Sequence, residues 1–241
     1  MDTSSFNPAI TSRWAGNAYY VPGDAVDLDE GAPPAPLHLR VLRTAAERQA
    51  IAGLRRHAAF GVEQDLGLGL KPLEQTRDEV GLVTAVYQQS RLLATLRFVP
   101  TGHRLTGAER LLESESFDAS ILGEGSWEVG RMIMEPEDRH PDLLVRCLTV
   151  TLEELKQLEH VRHFHASTTL AMARLWRRVG MRTVVTTTGS SGTKYALVHG
   201  RVEDVAAALQ QSQSRASAEH AALVPPELLM HKAASLQTLR A

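Results

Sequence analysis

Leu37-His-Leu-Arg-Val-Leu-Arg43 alternates apolar and polar positions, the period of a half-buried strand. Thr44 and Glu47 follow with capping-box spacing, and Ile51, Leu54 and Ala58, flanked by Phe60, predict a helix over 45–60. The stretch 61–72 holds three glycines and a proline and reads as loop or broken helix. Gly81–Tyr87 and Arg91–Val99 are β-rich runs separated by Gln88-Gln-Ser90, which predicts a hairpin. Residues 101–125 are polar with short apolar patches, read as short helix and loop. Trp127–Met134 reads as a central strand ending at Pro136. Pro141 then opens a helix, roughly 141–160, with Leu143, Leu144, Cys147, Leu148, Leu152 and Leu155 on its apolar side. Val161–Ala166 reads as a strand and 168–179 as a helix stopped at Gly180. Two further strands, Arg182–Thr188 and Thr193–His199, join through Gly189-Ser-Ser-Gly192. A short helix at 202–210 follows. This order demands an α+β fold: a mixed, twisted sheet of about seven strands flanked by helices.

Two extensions flank this domain of residues 37–210. Residues 1–36 carry five prolines and several acids and read as an N-terminal arm. Residues 211–241 read as a Gln/Ser/Ala-rich linker followed, after Pro225-Pro226, by an amphipathic helix over 227–239.

Composition narrows the function classes. At 241 residues, 43% hydrophobic and 22% charged, the chain can bury a core, which excludes wholesale disorder. A formal net charge of −2 disfavours nucleic acid as a partner. The single cysteine, Cys147, excludes an intrachain disulfide framework and a Cys-rich metal site. No apolar run approaches membrane-spanning length, and the acidic, Pro-containing start lacks the apolar core of a secretory signal, so a cytoplasmic protein without an integral membrane segment is expected. Charge is unevenly spread: from Arg139 to Arg182 eight basic residues face four acids, leaving −6 for the rest.

Four short motifs occur in one order: Arg56-His-Ala-Ala-Phe60, Leu93-Ala-Thr-Leu-Arg-Phe-Val-Pro100, Trp127-Glu-Val-Gly-Arg131 and Leu170-Ala-Met-Ala-Arg-Leu-Trp-Arg-Arg-Val-Gly-Met181. Together they resemble the GNAT acyltransferase superfamily, in particular its acyl-carrier-protein-using branch of LuxI-type autoinducer synthases and FeeM-type N-acyl amino acid synthases, over about residues 37–200. The resemblance implies acyl transfer from a thioester to an amine, with no tightly bound cofactor and no metal. The donor would be acyl-phosphopantetheine on an acyl carrier protein or coenzyme A. Ordinary acetyl-CoA enzymes of the superfamily place a glycine-rich loop against the pyrophosphate. Here Arg139-His-Pro-Asp-Leu-Leu144 keeps the arginine, lacks both glycines, loses one N–H at Pro141 and adds the charge of Asp142. Those changes favour a carrier protein. The tryptophan that follows the first motif in LuxI-type enzymes is absent, which favours a small amine such as an amino acid over S-adenosylmethionine. Homoserine-lactone synthesis and a non-catalytic acyl-chain-binding module remain the alternatives; a homodimer is compatible with both.

Amide formation requires a base for the amine, a donor for the developing oxyanion and a means of holding both reactants. Glu128 is the candidate base. In a plain strand Glu128 and Arg131 would point to opposite faces; a bulge at Gly130 would re-aim one of them and free a backbone N–H near Arg131–Met132 for the oxyanion. Arg131 and Arg97 would grip an acceptor carboxylate. Arg56, Phe60 and Asp78 are further acceptor-site candidates through the resemblance. Arg139 and the i, i+3, i+4 set Arg174, Arg177 and Arg178 would meet an acidic carrier protein. A buried Glu128–Arg131 ion pair that merely orders the sheet is the competing interpretation. Met132, Met134, Met172 and Met181 suit either core filling or an acyl tunnel. His163-Phe-His165 and His199-Gly-Arg-Val-Glu-Asp204 carry metal-like and acyltransferase-like spacings, but at strand positions where no site is expected.

Overall fold

The structure, a computed structural model, describes residues 36–56, 61–114 and 119–223. Phe60, the N-terminal arm and the helix expected over 227–239 lie outside these residues. Seven strands form one sheet: β1 (Leu37–Val41), β2 (Leu82–Gln88), β3 (Arg91–Pro100), β4 (Ser126–Met134), β5 (His163–Thr169), β6 (Arg182–Thr188) and β7 (Lys194–Arg201), ordered β1-β2-β3-β4-β5-β7-β6. Only β4 and β5 run parallel; the other neighbours are antiparallel. The predicted mixed sheet is therefore present, with each strand close to its expected place.

Apolar side chains leave both faces of the inner strands, so both must be covered. On β7, Ala196 and Val198 join a cluster with Leu144, Cys147, Leu148, Leu152 and Leu155 of α6 (Pro141–Leu158), Trp176 of α7 (Leu170–Arg178) and Leu209 of α8 (Val202–Leu223). Leu197, between them, instead packs with Ala108, Leu111 and Leu112 of α5 (Gly107–Ser114). Ile51 and Leu42 cover Val83 and Ala85 at the other end of the sheet.

The helix predicted over 45–60 is broken. Thr44 and Glu47 do form the reciprocal capping box of α1 (Ala45–Arg48), but a 3₁₀ turn at Gln49–Ile51 separates it from α2 (Ala52–Arg56). Two short helices then follow, α3 (Gly61–Asp65) and α4 (Glu74–Val80), the latter with no counterpart in the expected order. The segment after 210 also departs from expectation: α8 runs unbroken to Leu223 through the predicted linker. Alanine and glutamine are good helix formers, and Ser212 and Ser214 return their hydroxyls to the carbonyls of Ala208 and Gln210, both at 2.9 Å. No helix among the described residues is long and apolar enough to cross a membrane.

Candidate active site

β4 and β5 pair over only three positions, Ser126–Glu128 against His163–His165, and then separate. The carboxylate of Glu128 stands where pairing stops. Beyond it β4 is distorted: Thr95 faces Ile133 and Arg97 faces Gly130, so Arg131 and Met132 together oppose the single residue Leu96. That is a β-bulge, which bends its strand and releases local pairing. Its position differs by one residue from expectation. Gly130 keeps its partner, and Arg131 takes the left-handed backbone, φ +49°, a conformation costing a non-glycine residue about 1 kcal/mol or more.

A cavity of about 260 Å³ occupies the gap. Glu128, Arg131 and Met132 border it from β4, Ser167 from β5, Trp176 from α7 and Glu63 from α3. Glu128 is 3% exposed. Its Oε2 accepts the Ala108 N–H at 2.7 Å, at the start of α5. Thr106 and Glu109 fix that helix start: the Glu109 N–H donates to Thr106 Oγ1 (3.2 Å) while Glu109 Oε2 accepts from the Thr106 N–H (3.0 Å). A side chain on Gly107 would press on Ser167 Oγ and Glu128 Oε2, at 2.9 and 3.2 Å from its Cβ, so anything larger than glycine displaces one of them.

Glu128 Oε1 pairs with Arg77 Nη2 at 3.1 Å. The expected alternative partner, Arg131, instead approaches Glu74, Nε to Oε2 at 3.6 Å. Burial pushes the Glu128 carboxyl above its ordinary range; Arg77 opposes this, and the nearby charge of Glu63 adds to it.

Arg77 belongs to a network of four arginines and four carboxylates. It is fully buried and also pairs with Glu63 (2.8 Å) and Glu74 (3.2 Å). Arg97, likewise fully buried, binds Glu74 through both terminal nitrogens (2.8 and 2.9 Å) and Asp78 through Nη1 (3.1 Å). Asp78 pairs in turn with Arg55. Burial raises the Asp78 carboxyl, but Arg55 and Arg97 overcome that and leave it below the ordinary range.

The residues expected at the site therefore separate. Glu128, Arg131 and Met132 share the cavity. Arg97 and Asp78 lie deeper in the ion network, where the fork of Arg97 is already engaged by carboxylates instead of being offered to an acceptor. Arg56 ends α2 on the surface, and its neighbour Arg55 is the one that reaches Asp78. Arg139 is exposed beyond β4, and Arg174, Arg177 and Arg178 are exposed on α7; Arg177 also borders a different cavity. Cys147 is buried, and burial pushes its thiol up to about 12, which removes it as a nucleophile. Sequence reasoning passed over Glu63, Glu74, Arg77 and Ser167. Ser167 Oγ is buried at the cavity with no hydrogen-bond partner among the described residues.

At the start of α6, His140 caps the helix by accepting the Asp142 N–H on Nδ1 at 3.3 Å. Pro141 contributes no N–H, and the Asp142 carboxylate lies 3.5 Å from His140 Nδ1.

No family model and no curated protein sequence matches the chain. Among solved structures it is similar to FeeM, an N-acyl amino acid synthase from uncultured soil microbes, with a TM-score of 0.54 at 14% identity over 70% of this chain and 92% of that one. The homoserine-lactone synthase LasI matches with a TM-score of 0.47 at 11% identity over 73% and 95% of the two chains. The CoA-dependent acyl-homoserine lactone synthase MesI gives 0.49 at 12% over 73% and 94%. The mixed seven-stranded sheet, parted between its two parallel strands, is the GNAT acyltransferase fold that the ordered motifs resemble.

Proposed function

We propose that the protein is an N-acyltransferase that moves a fatty acyl group from an acyl-carrier-protein thioester to a small amine, an amino acid being the favoured acceptor. The observation that carries this reading is the gap between β4 and β5, with a buried carboxylate at its fork and a bulge alongside. A phosphopantetheine thioester enters the gap as an extended arm. The amine nitrogen attacks the thioester carbonyl and forms the C–N bond. Glu128, directly or through a water, takes the proton that the amine gives up. The tetrahedral intermediate then collapses, the C–S bond breaks, and the thiol leaves with a proton. The backbone freed at Arg131–Met132 serves as oxyanion donor, and the Ser167 hydroxyl is placed to hydrogen-bond the reacting groups. Arg131, at the rim of the gap, orients the acceptor carboxylate, while Arg97 and Asp78 act at one remove by holding Glu74 and Arg55.

The start of α6 supports the carrier protein as donor. Its free amides are reduced by Pro141 and taken up by the His140 cap, and Asp142 repels a diphosphate. Exposed Arg139, Arg174 and Arg178 suit an acidic partner. Mass spectrometry of the full chain incubated with acyl-carrier thioesters and pooled amino acids tests the assignment. N-acyl amino acids are the expected product. Product formation that requires S-adenosylmethionine would establish homoserine-lactone synthesis instead, and saturable turnover of acetyl-CoA would return the protein to the ordinary acetyltransferases.

A further inference from the structure

A second and larger cavity, about 730 Å³, lies at the opposite end of β5 from the acyl gap. Register fixes its place. His163 pairs with Arg201 and Arg182 with His199, where β5 and β6 begin and β7 ends, whereas the acyl gap opens beside Ala166–Thr168. Arg177, Arg182 and Arg201 border this cavity, with His163 and His199; Asp204 is its one acidic lining residue among the described residues. Arg201 reaches the exposed Glu203 at 3.3 Å, but Arg177 and Arg182 make no ion pair with any described residue.

The histidines form a wall built of side chains, not a loose surface patch. His163 Nδ1 and His199 Nε2 are hydrogen-bonded at 3.0 Å, and the ring of His199 stacks on that of His165, 5.0 Å between centroids. His165 is anchored by Ser126 Oγ at 2.7 Å and by the Ile121 carbonyl at 3.2 Å. His199 is 4% exposed, and its Nδ1 is buried without a hydrogen-bond partner. Burial, with the neighbouring His163 and the charge of Arg182 adding to it and Asp204 opposing it, brings His199 down to about 4, so its ring is neutral.

We propose that this cavity binds a phosphate dianion, carried as a phosphomonoester, at a site separate from the acyl gap. Guanidinium groups pair with phosphate oxygens through two parallel N–H bonds, and an excess of positive charge over one carboxylate matches a doubly charged ligand. The volume exceeds what one inorganic phosphate fills, leaving space for an organic body beside Ile121 and Met181.

Calorimetric titration of the full chain at constant ionic strength tests the site, with glycerol 3-phosphate and inorganic phosphate as separate probes. Saturable 1:1 binding is expected, tighter for the ester. The double variant Arg182→Gln/Arg201→Gln changes two exposed side chains, and its fold is checked by circular dichroism. It should weaken binding by about tenfold or more, as loss of a charge-assisted hydrogen bond predicts. Glu128→Gln should leave it unchanged, which places the ligand outside the acyl gap. Absence of saturation for both probes up to about 10 mM, retention of affinity in the double variant, or its loss in Glu128→Gln would each overturn the site. Equal affinity for the two probes would assign it to free phosphate and overturn the ester.

Discussion

In the proposed mechanism Glu128 draws stability and activity in opposite directions. Its carboxyl titrates above the ordinary 4.5 because burial disfavours the charge, so the folded chain holds that proton more tightly than the unfolded chain does. The resulting stabilisation is complete below about 4.5 and is lost as pH rises through the raised value. A base works only when deprotonated, so turnover should rise over the same interval. Glu128→Gln should cut turnover by about 10²–10⁴-fold and remove that limb from the pH–rate profile; a variant that keeps the limb would assign the proton to another group. Two glycines distinguish the local geometry. Nothing lies within 4 Å of a Cβ built on Gly130, whose φ is not positive, so Gly130→Ala should change stability by no more than about 1 kcal/mol. Gly107→Ala pushes on the Glu128 carboxylate and Ser167, so it should lower kcat while the chain still folds. The bulge was readable from Glu128-Val-Gly-Arg131. Which residue would carry the left-handed backbone was not, since glycine is the usual choice and the strained residue is an arginine.

Among the elements, those with an apolar stripe were legible and those with a charged inner face were not. The spacing of Leu144, Cys147, Leu148, Leu152 and Leu155 announces α6. By contrast Glu74-Gln-Thr-Arg-Asp-Glu-Val80 shows no hydrophobic period, because α4 turns Glu74, Arg77 and Asp78 toward the sheet. A pattern search for buried apolar residues cannot find a helix whose buried residue is Arg77. The same fact makes Arg77 costly to remove. Arg77→Met leaves Glu63, Glu74 and Glu128 without their shared cation and should destabilise the fold by about 3–5 kcal/mol, measured by denaturant titration. A second element contact is reversible by acid. Asp65 of α3 binds the β6–β7 loop through Ser190 Oγ (2.8 Å), Ser191 Oγ (2.6 Å) and the Ser191 N–H (2.7 Å). Ser191 and Ser190 lower its carboxyl to about 2. The link is thus fully present above the ordinary 3.8 and is lost as pH falls through about 2. Asp65→Asn should speed amide exchange at Ser190 and Ser191 at neutral pH with little change in melting temperature; unchanged exchange would show that the loop holds itself.

For the whole molecule, the succession of strands along the chain was legible and the ends of elements were not. Alternation along β1 reflects its single core face, whereas β2, β3 and β7 are continuously buried because both faces of the inner sheet are covered. The continuation of α8 to Leu223 depends on weak propensities in a Gln/Ser/Ala run that carries no hydrophobic period. Likewise, the second cavity gathers His163, Arg182, His199 and Arg201 from three strands that only pairing register brings together.

The brevity of the β4–β5 seam has a mechanical consequence. Four strands lie on one side of it and three on the other, joined across the sheet by Ser126–Glu128 and His163–His165 and, just before them, by the Gly125 carbonyl, which accepts from the Arg162 and His163 N–H groups. A wedge driven into such a fork meets little backbone resistance, so an elongated guest can prise the two wings apart without unfolding either. Deuterium uptake should therefore be quicker at the fork than in the long β2–β3 ladder, and an occupied cleft should slow it.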